Sequence, residues 1–365
     1  MLEQNEIGSG TSSRSSKLIH GGLRYLESGH FSLVKDCLND RNKLLDLAPN
    51  LVKLIPFHIP VYKNSKRSSF KIRAGLTLYA LLSKLGSGSL FSRIQPDKWE
   101  NPDRILANDL VSVFRYLDAQ TDDLALTRAV MHSARSMGAD ILSLAQVLNV
   151  KLDDNQCAIT CRHKGKDLTL DSRFLINATG PWVNQTLHTI TPKPDITPIE
   201  LVQGTHIVVD RTQVQGAYYL ESPTDGRAIF SIPWRNKTLI GTTEIIYNGD
   251  PAKTEPSRDE INFLMSIYNH YFPSRKIDDA NILESFSGLR VLPKKTDAVF
   301  SRSRETILTT FPEKNPRLLS IYGGKLTSYR STAEKIMNRI SNALPRREKI
   351  ADVEKIMLYP LNTDI

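Results

Sequence analysis

A chain of 365 residues is long enough for two or three domains, each with a core of its own. Its 48 Lys and Arg against 39 Asp and Glu give a formal charge of +9, a basic surface suited to an anionic small molecule, lipid or nucleic acid. No zinc-finger spacing, RNP aromatic signature or long basic arm accompanies that charge, so nucleic acid is set aside as a partner. Cys37, Cys157 and Cys161 make neither an even disulfide framework nor a metal-site spacing. A reducing compartment and no metal are therefore expected, and no run of about 18 apolar residues marks a membrane span.

The opening segment is chemically dense. Thr11-Ser12-Ser13-Arg14 has loop composition, and Lys17-Leu18-Ile19-His20-Gly21-Gly22-Leu23-Arg24-Tyr25 packs cations, a histidine and a glycine pair into one stretch. Glycines let a backbone approach a flat ligand, while Ser, Thr, His and Arg supply hydrogen bonds and positive charge. Helical spacing of Leu33, Val34, Cys37, Leu38, Leu44 and Leu45 predicts a helix over 31–47. Pro49 and Pro56 to Pro60 then break the pattern and lead to an extended segment. A basic amphipathic helix is predicted over 68–85, equally readable as a membrane-surface helix or a core helix with a charged edge.

A further helix spans 122–139, with Thr121 as cap and Gly138 at its end. Strands follow over 140–150, 156–163 and 167–176. Short alternating strands over 201–209, 216–220, 227–232 and 237–243 predict an antiparallel sheet. A helix over 258–271, strands over 282–292 and 318–322, and a last helix over 327–344 complete the chain. Three apolar runs end in glycine turns: Asn177-Ala178-Thr179-Gly180, Ser287-Gly288-Leu289-Arg290 and Tyr322-Gly323-Gly324-Lys325. With the opening loop they point to a dinucleotide site at strand carboxyl ends, although no Gly-x-Gly-x-x-Gly follows a strand.

The run from Gly10 to Glu27 resembles the FAD-dependent, respiratory glycerol-3-phosphate dehydrogenases. So, in the same order, do Asp118-Ala119-Gln120-Thr121, Asn177-Ala178-Thr179-Gly180-Pro181-Trp182, Gly204-Thr205-His206, Ile240-Gly241-Thr242-Thr243, Ser287-Gly288-Leu289-Arg290 and Gly323-Gly324-Lys325-Leu326-Thr327. The resemblance implies an α/β (α+β) fold: a Rossmann-like FAD-binding domain of the amino-acid-oxidase type with an inserted antiparallel-sheet substrate domain. The first would comprise 1–48, 118–185 and 285–344, and the second 49–117 and 186–284. It also implies a strand and glycine-rich turn about thirty residues long ahead of Met1, and a C-terminal domain beginning within 345–365. The polypeptide then reads as a fragment.

By the same resemblance FAD is held by Glu3, Thr11, Ser12, Ser16, Lys17, Leu18, His20, Gly21, Gly22, Ala178, Thr179, Gly180, Gly288, Gly324, Lys325, Leu326 and Thr327. Arg24, Tyr25 and Arg304 bind the phosphate of sn-glycerol 3-phosphate, with Arg302 an alternative register for Arg304. Arg290 and Lys325 polarise the substrate oxygen and stabilise charge on reduced flavin. His206 is the first choice for general base and His20 the second. His58, His132, His163, His188 and His270 read as structural. Electrons pass to membrane quinone, and the helix over 68–85 meets an anionic membrane surface. The expected location is cytoplasmic, peripheral to the inner membrane, with a homodimer admissible. A glycerol-3-phosphate oxidase and a non-catalytic remnant are the rival readings.

Overall fold

The computed structural model describes residues 1–84, 88–294, 305–348 and 350–360. Its first elements are β1 (Leu2–Glu3), β2 (Leu18–Ile19), α1 (Phe31–Leu47), β3 (Val52–Tyr62), α2 (Ser69–Leu82), β4 (Ser92–Ile94), β5 (Leu110–Thr121) and α3 (Asp123–Ser136). Next come β6 (Leu142–Ser143), β7 (Ala145–Leu152), β8 (Cys157–His163), β9 (Lys166–Ser172), β10 (Leu175–Asn177), α4 (Val183–Leu187) and β11 (Ile190–Thr191). The central strands are β12 (Ile199–Val209), β13 (Ala217–Glu221), β14 (Ala228–Trp234), β15 (Lys237–Gly241) and β16 (Ile245–Tyr247). Finally come α5 (Arg258–Tyr271), β17 (Ile282–Pro293), β18 (Ile307–Phe311), β19 (Leu318–Tyr322) and α6 (Tyr329–Ile340).

Two kinds of sheet result. Parallel pairing joins β1 to β6 and β10 to β19, while β18 adds antiparallel to β19 and the meander β7-β8-β9 carries β11 on its edge. A ten-stranded sheet runs β16-β12-β15-β14-β13-β3-β5-β2, with β17 on β12 and β4 on β5. The sheets and helices make the mixed α/β architecture that the resemblance implies.

The large sheet is covered on both faces. Leu264, Ile267, Tyr268 and Tyr271 of α5 pack on Ile207, Tyr218, Ile229 and Ile240. Elsewhere Val34, Leu38, Leu76 and Tyr79 of α1 and α2 meet Phe57, Ile59, Phe114 and Tyr116. Each such side chain contributes about 1.5–3 kcal/mol on full burial. A capping box, with Ser257 and Glu260 bonding each other's backbone N–H groups, starts α5. Helix α2 buries one face and exposes the other. Ile72, Leu76 and Tyr79 are core, while Phe70 and Leu81 are 83% and 57% exposed beside Lys71 and Arg73.

Several local expectations are revised. Asp122, not Thr121, caps α3, accepting from Ala125 N–H, because the Thr121 hydroxyl is spent on the Leu51 carbonyl. The stretch 167–176 is two strands, not one. The proline-bearing segment is the eleven-residue strand β3, paired along its length with β5. On its other side β13 joins only at Phe57 and His58, so Pro56 and Pro60 flank that short ladder instead of interrupting it.

Candidate active site

The opening loop is tied down residue by residue. Its Thr11 hydroxyl donates to the Leu289 carbonyl at 3.0 Å, and the Arg14 guanidinium to the Ser287 carbonyl at 3.2 Å. Gly288 permits this approach, since a Cβ there would come within 2.8 Å of the Arg14 carbonyl oxygen. Gly10 lies against Trp182, and the His20 backbone N–H donates to Thr327 Oγ1 at 3.2 Å. The loop therefore meets all three glycine turns that end apolar strands.

Beyond Ile19 the loop is held by a buried relay. Gly21 N–H donates to the Tyr79 hydroxyl at 2.9 Å, and that hydroxyl donates to Asp118 at 2.7 Å. Asp118 in turn pairs with the fully buried Arg41 at 3.1 Å. Burial raises the Asp118 carboxyl above its usual value, and Arg41 opposes that rise. Gly22 sits at φ +74°, a left-handed turn that side-chain-bearing residues resist. That turn aims Arg24 and Tyr25. The Lys325 ammonium lies 3.9 Å from the Tyr25 ring centroid and donates to Cys37 Sγ at 3.6 Å.

A cavity of about 410 Å³ opens here, with Ser16, His20, Arg24, Thr242, Glu244 and Arg290 in its polar wall. Leu23, Ile72, Leu78 and Phe230 form apolar walls. Arg24 and Arg290 each stand 3.6 Å from Glu244, which is largely buried. Two guanidinium groups share one carboxylate in this wall, a donor set suited to a phosphate ester.

Two sequence-derived candidates, Lys17 and His206, are buried. The Lys17 ammonium does not line the cavity. It is buried on Asp123 at 2.7 Å and on the Ser13 carbonyl at 2.6 Å, because Asp123 at the start of α3 is fully buried and requires a counter-charge. His206 is 1% exposed and stacked on Phe286, its Nε2 lying 2.9 Å from Ser16 Oγ. Burial first, then Arg290 and Lys17, hold its pKa down at about 3. Of the two histidines, His20 lines the cavity.

The remaining candidates are distributed around this site. Glu3 ends β1, accepting from Asn5 N–H at 3.0 Å. Ser12 is exposed and Leu18 is core. Thr179 donates to Asn177 at 2.7 Å beside exposed Ala178, and Gly180 (φ +56°) has nothing near a built Cβ. Gly323 and Gly324 adopt φ +75° and +110° ahead of Leu326 and Thr327. Arg304 and its alternative Arg302 lie outside the described residues. His58 is packed near Trp99 and Tyr218, its pKa lowered by burial and Arg115 to about 4. Sequence reasoning gave no role to Glu244, Asp118 or Tyr79. The Ile240-Gly241-Thr242-Thr243 run was the only local signal near the first.

Comparison with known proteins adds an independent line. The model of the family described as FAD dependent oxidoreductase matches residues 1–330. The aerobic glycerol-3-phosphate dehydrogenase of Escherichia coli (strain K12) is 34% identical over 348 residues, covering 93% of this chain and 68% of that protein. D-erythritol 1-phosphate dehydrogenase of Brucella abortus (strain 2308) is 32% identical, with 95% and 69% covered. Among solved structures, glycerol-3-phosphate dehydrogenase from Bacillus halodurans complexed with FAD matches with a TM-score of 0.76 at 25% identity, with 98% of this chain and 62% of that one covered. The L-alpha-glycerophosphate oxidase of Mycoplasma pneumoniae shares the fold, at a TM-score of 0.71 and 16% identity. This chain thus spans about two thirds of the curated relatives' length, 66% for that of Pseudomonas aeruginosa.

Proposed function

The chain belongs to the FAD-dependent oxidoreductases and, within them, to the glycerol-3-phosphate dehydrogenases, and from that premise we propose that its site oxidises sn-glycerol 3-phosphate to dihydroxyacetone phosphate, the electrons passing on to quinone. The observation that carries this reading is the meeting of His20, Arg24 and Arg290 in one cavity beside the Lys325 elbow.

The residues present fit FAD. Gly180 has open space where a Cβ would stand, Gly323 and Gly324 adopt positive φ, and hydroxyl groups stand at Thr11, Ser16 and Thr327. A flat ring system with carbonyl edges needs such a surface. When bound, FAD supplies the acceptor for the hydride that leaves substrate carbon 2. Glu3, Thr11, Ser12, Ser16, Leu18, Gly21, Gly22, Gly180, Gly324 and Thr327 are the residues assigned to hold it, and Lys17 anchors their loop, its N–H donating to Ser15 Oγ and its carbonyl accepting from Thr121 N–H.

The protein's own groups then divide the work. Arg24 and Tyr25 bind the phosphate, charge-assisted hydrogen bonds being the stronger kind. Arg290 at the cavity wall, with Lys325 assigned to help it from over the Tyr25 ring, lowers the cost of negative charge on the substrate oxygen. His20 is the general base, because of the two candidate histidines it is the one that lines the cavity. His206 is not, since it meets the cavity only through Ser16.

Steady-state kinetics with sn-glycerol 3-phosphate and an artificial electron acceptor test the assignment. Arg24→Ala is expected to raise KM by roughly tenfold to a hundredfold, the worth of a hydrogen bond to a charged group, with kcat much less affected. An unchanged KM removes the phosphate role. D-erythritol 1-phosphate, assayed alongside, decides which polyol phosphate is preferred.

Among the described residues no helix is long and apolar enough to cross a membrane. The exposed Phe70 and Leu81 beside Lys71 and Arg73 support a peripheral seat on an anionic bilayer, where quinone dissolves. Flotation with vesicles containing anionic lipid tests this seat. Phe70→Ser should weaken flotation, and unchanged flotation speaks against it.

A further inference from the structure

The buried His206 has a more specific use than filling space. It stands opposite Gly241 on one side and Phe286 on the other in the sheet register. A Cβ on Gly241 would collide with the imidazole ring, so glycine makes the room the ring occupies. Phe286 stacks on it with centroids 5.1 Å apart and planes 17° from parallel. One polar contact remains, from Nε2 to Ser16 Oγ at 2.9 Å. Among the described residues Nδ1 is buried and has no hydrogen-bond partner.

This asymmetry decides the tautomer. A neutral imidazole carries its proton on one nitrogen and accepts at the other. A proton on Nδ1 would be a buried donor with nothing to receive it, whereas an unmet acceptor is the more tolerable defect. Burial, with Arg290 and Lys17 nearby, keeps the ring from taking a second proton. Nε2–H therefore donates to Ser16 Oγ. The Ser16 hydroxyl proton cannot point back at the ring, and Ser16 lines the cavity.

We propose that His206 is a positioning residue that fixes Ser16 as a hydrogen-bond donor into the active-site cavity, aimed at an acceptor atom of the bound flavin or substrate. The proposal rests on the reading of this cavity as the flavin and substrate site. The tautomer itself does not depend on that reading.

The first test is 15N NMR of the whole protein labelled at histidine, with His206→Gln used to assign the signal. His206 should show a protonated Nε2 and an unprotonated Nδ1. A protonated Nδ1, or an imidazolium, overturns the proposal whether or not the protein turns over substrate.

The second test is a set of kinetic variants. Ser16→Ala and His206→Phe should each lower kcat/KM about tenfold, the size of one hydrogen bond, and together cost no more than either alone. His206→Gln keeps an N–H near Nε2 and should restore most of the activity. Independent, additive losses, or a Gln variant as poor as Phe, overturn it. Absence of any turnover with polyol phosphates by the parent protein would instead count against the cavity assignment, leaving the NMR result to decide the hydrogen-bond direction.

Discussion

Lys17 and Arg24 belong to the same short loop, and both read from sequence as ligand-binding cations. The structure uses them in opposite ways. Lys17 is consumed by the buried carboxylate of Asp123, with both side chains out of solvent. Arg24 keeps 22% of its side chain exposed in the cavity and shares Glu244 with Arg290. One cation holds the loop to α3, and the other stands in the cavity wall beside a second guanidinium. Two cations of one loop thus serve the fold at one position and the cavity wall at the other.

Breaking the first pair should produce the largest effect. Asp123→Ala strands Lys17 in the interior and should cost about 3–5 kcal/mol of stability, measured by denaturant unfolding. A loss below about 1 kcal/mol, the range of an exposed pair, would show that Lys17 escapes to water and that the contrast with Arg24 is false. Arg24→Ala should leave stability within about 0.5 kcal/mol and act on KM instead.

Acid is a smaller lever on the same architecture. His206 and His58 are held at about 3 and about 4, below the ordinary 6.5. The unfolded chain thus binds protons that the folded chain refuses. Stability is full above pH 6.5 and falls with acid down to the folded values, by up to about 1.4 kcal/mol per pH unit for each histidine. His206→Gln should remove one histidine's share of that slope between pH 6 and 4, read from denaturant midpoints. An unchanged slope would mean that His206 takes up a proton in the folded protein.

The smallest expected change sharpens the role of Arg24's partner. Glu244→Gln removes the negative charge shared by Arg24 and Arg290, so competitive inhibition by inorganic phosphate should tighten a few-fold, the scale of one partly solvated ion pair. Weaker inhibition would show that Glu244 positions the arginines instead of competing for them.

Much of this is legible in the sequence. Helices α1 and α5 and strand β19 begin and end where periodicity, caps and glycines place them, because those signals are local. The glycine turns at Gly180, Gly288 and Gly323 were legible for the same reason, and the structure brings each to the opening loop. Strands β3 and β5 were not, since prolines mask the first and its pairing partner lies far away in sequence. The roles of Lys17 and Arg24 could not be separated, because Asp123 and Glu244 reach them only through the folded chain. The same limit hid which histidine faces the cavity. Residue type marks both as bases, and burial alone separates His20 from His206.

The most direct test of the central claim is the kcat of His20→Asn with sn-glycerol 3-phosphate, determined beside its unfolding free energy. Removing a general base from the cavity wall should lower kcat about a hundredfold or more, with KM and stability nearly unchanged. Retention of kcat within a few-fold of the parent would contradict the account and move the proton acceptor elsewhere.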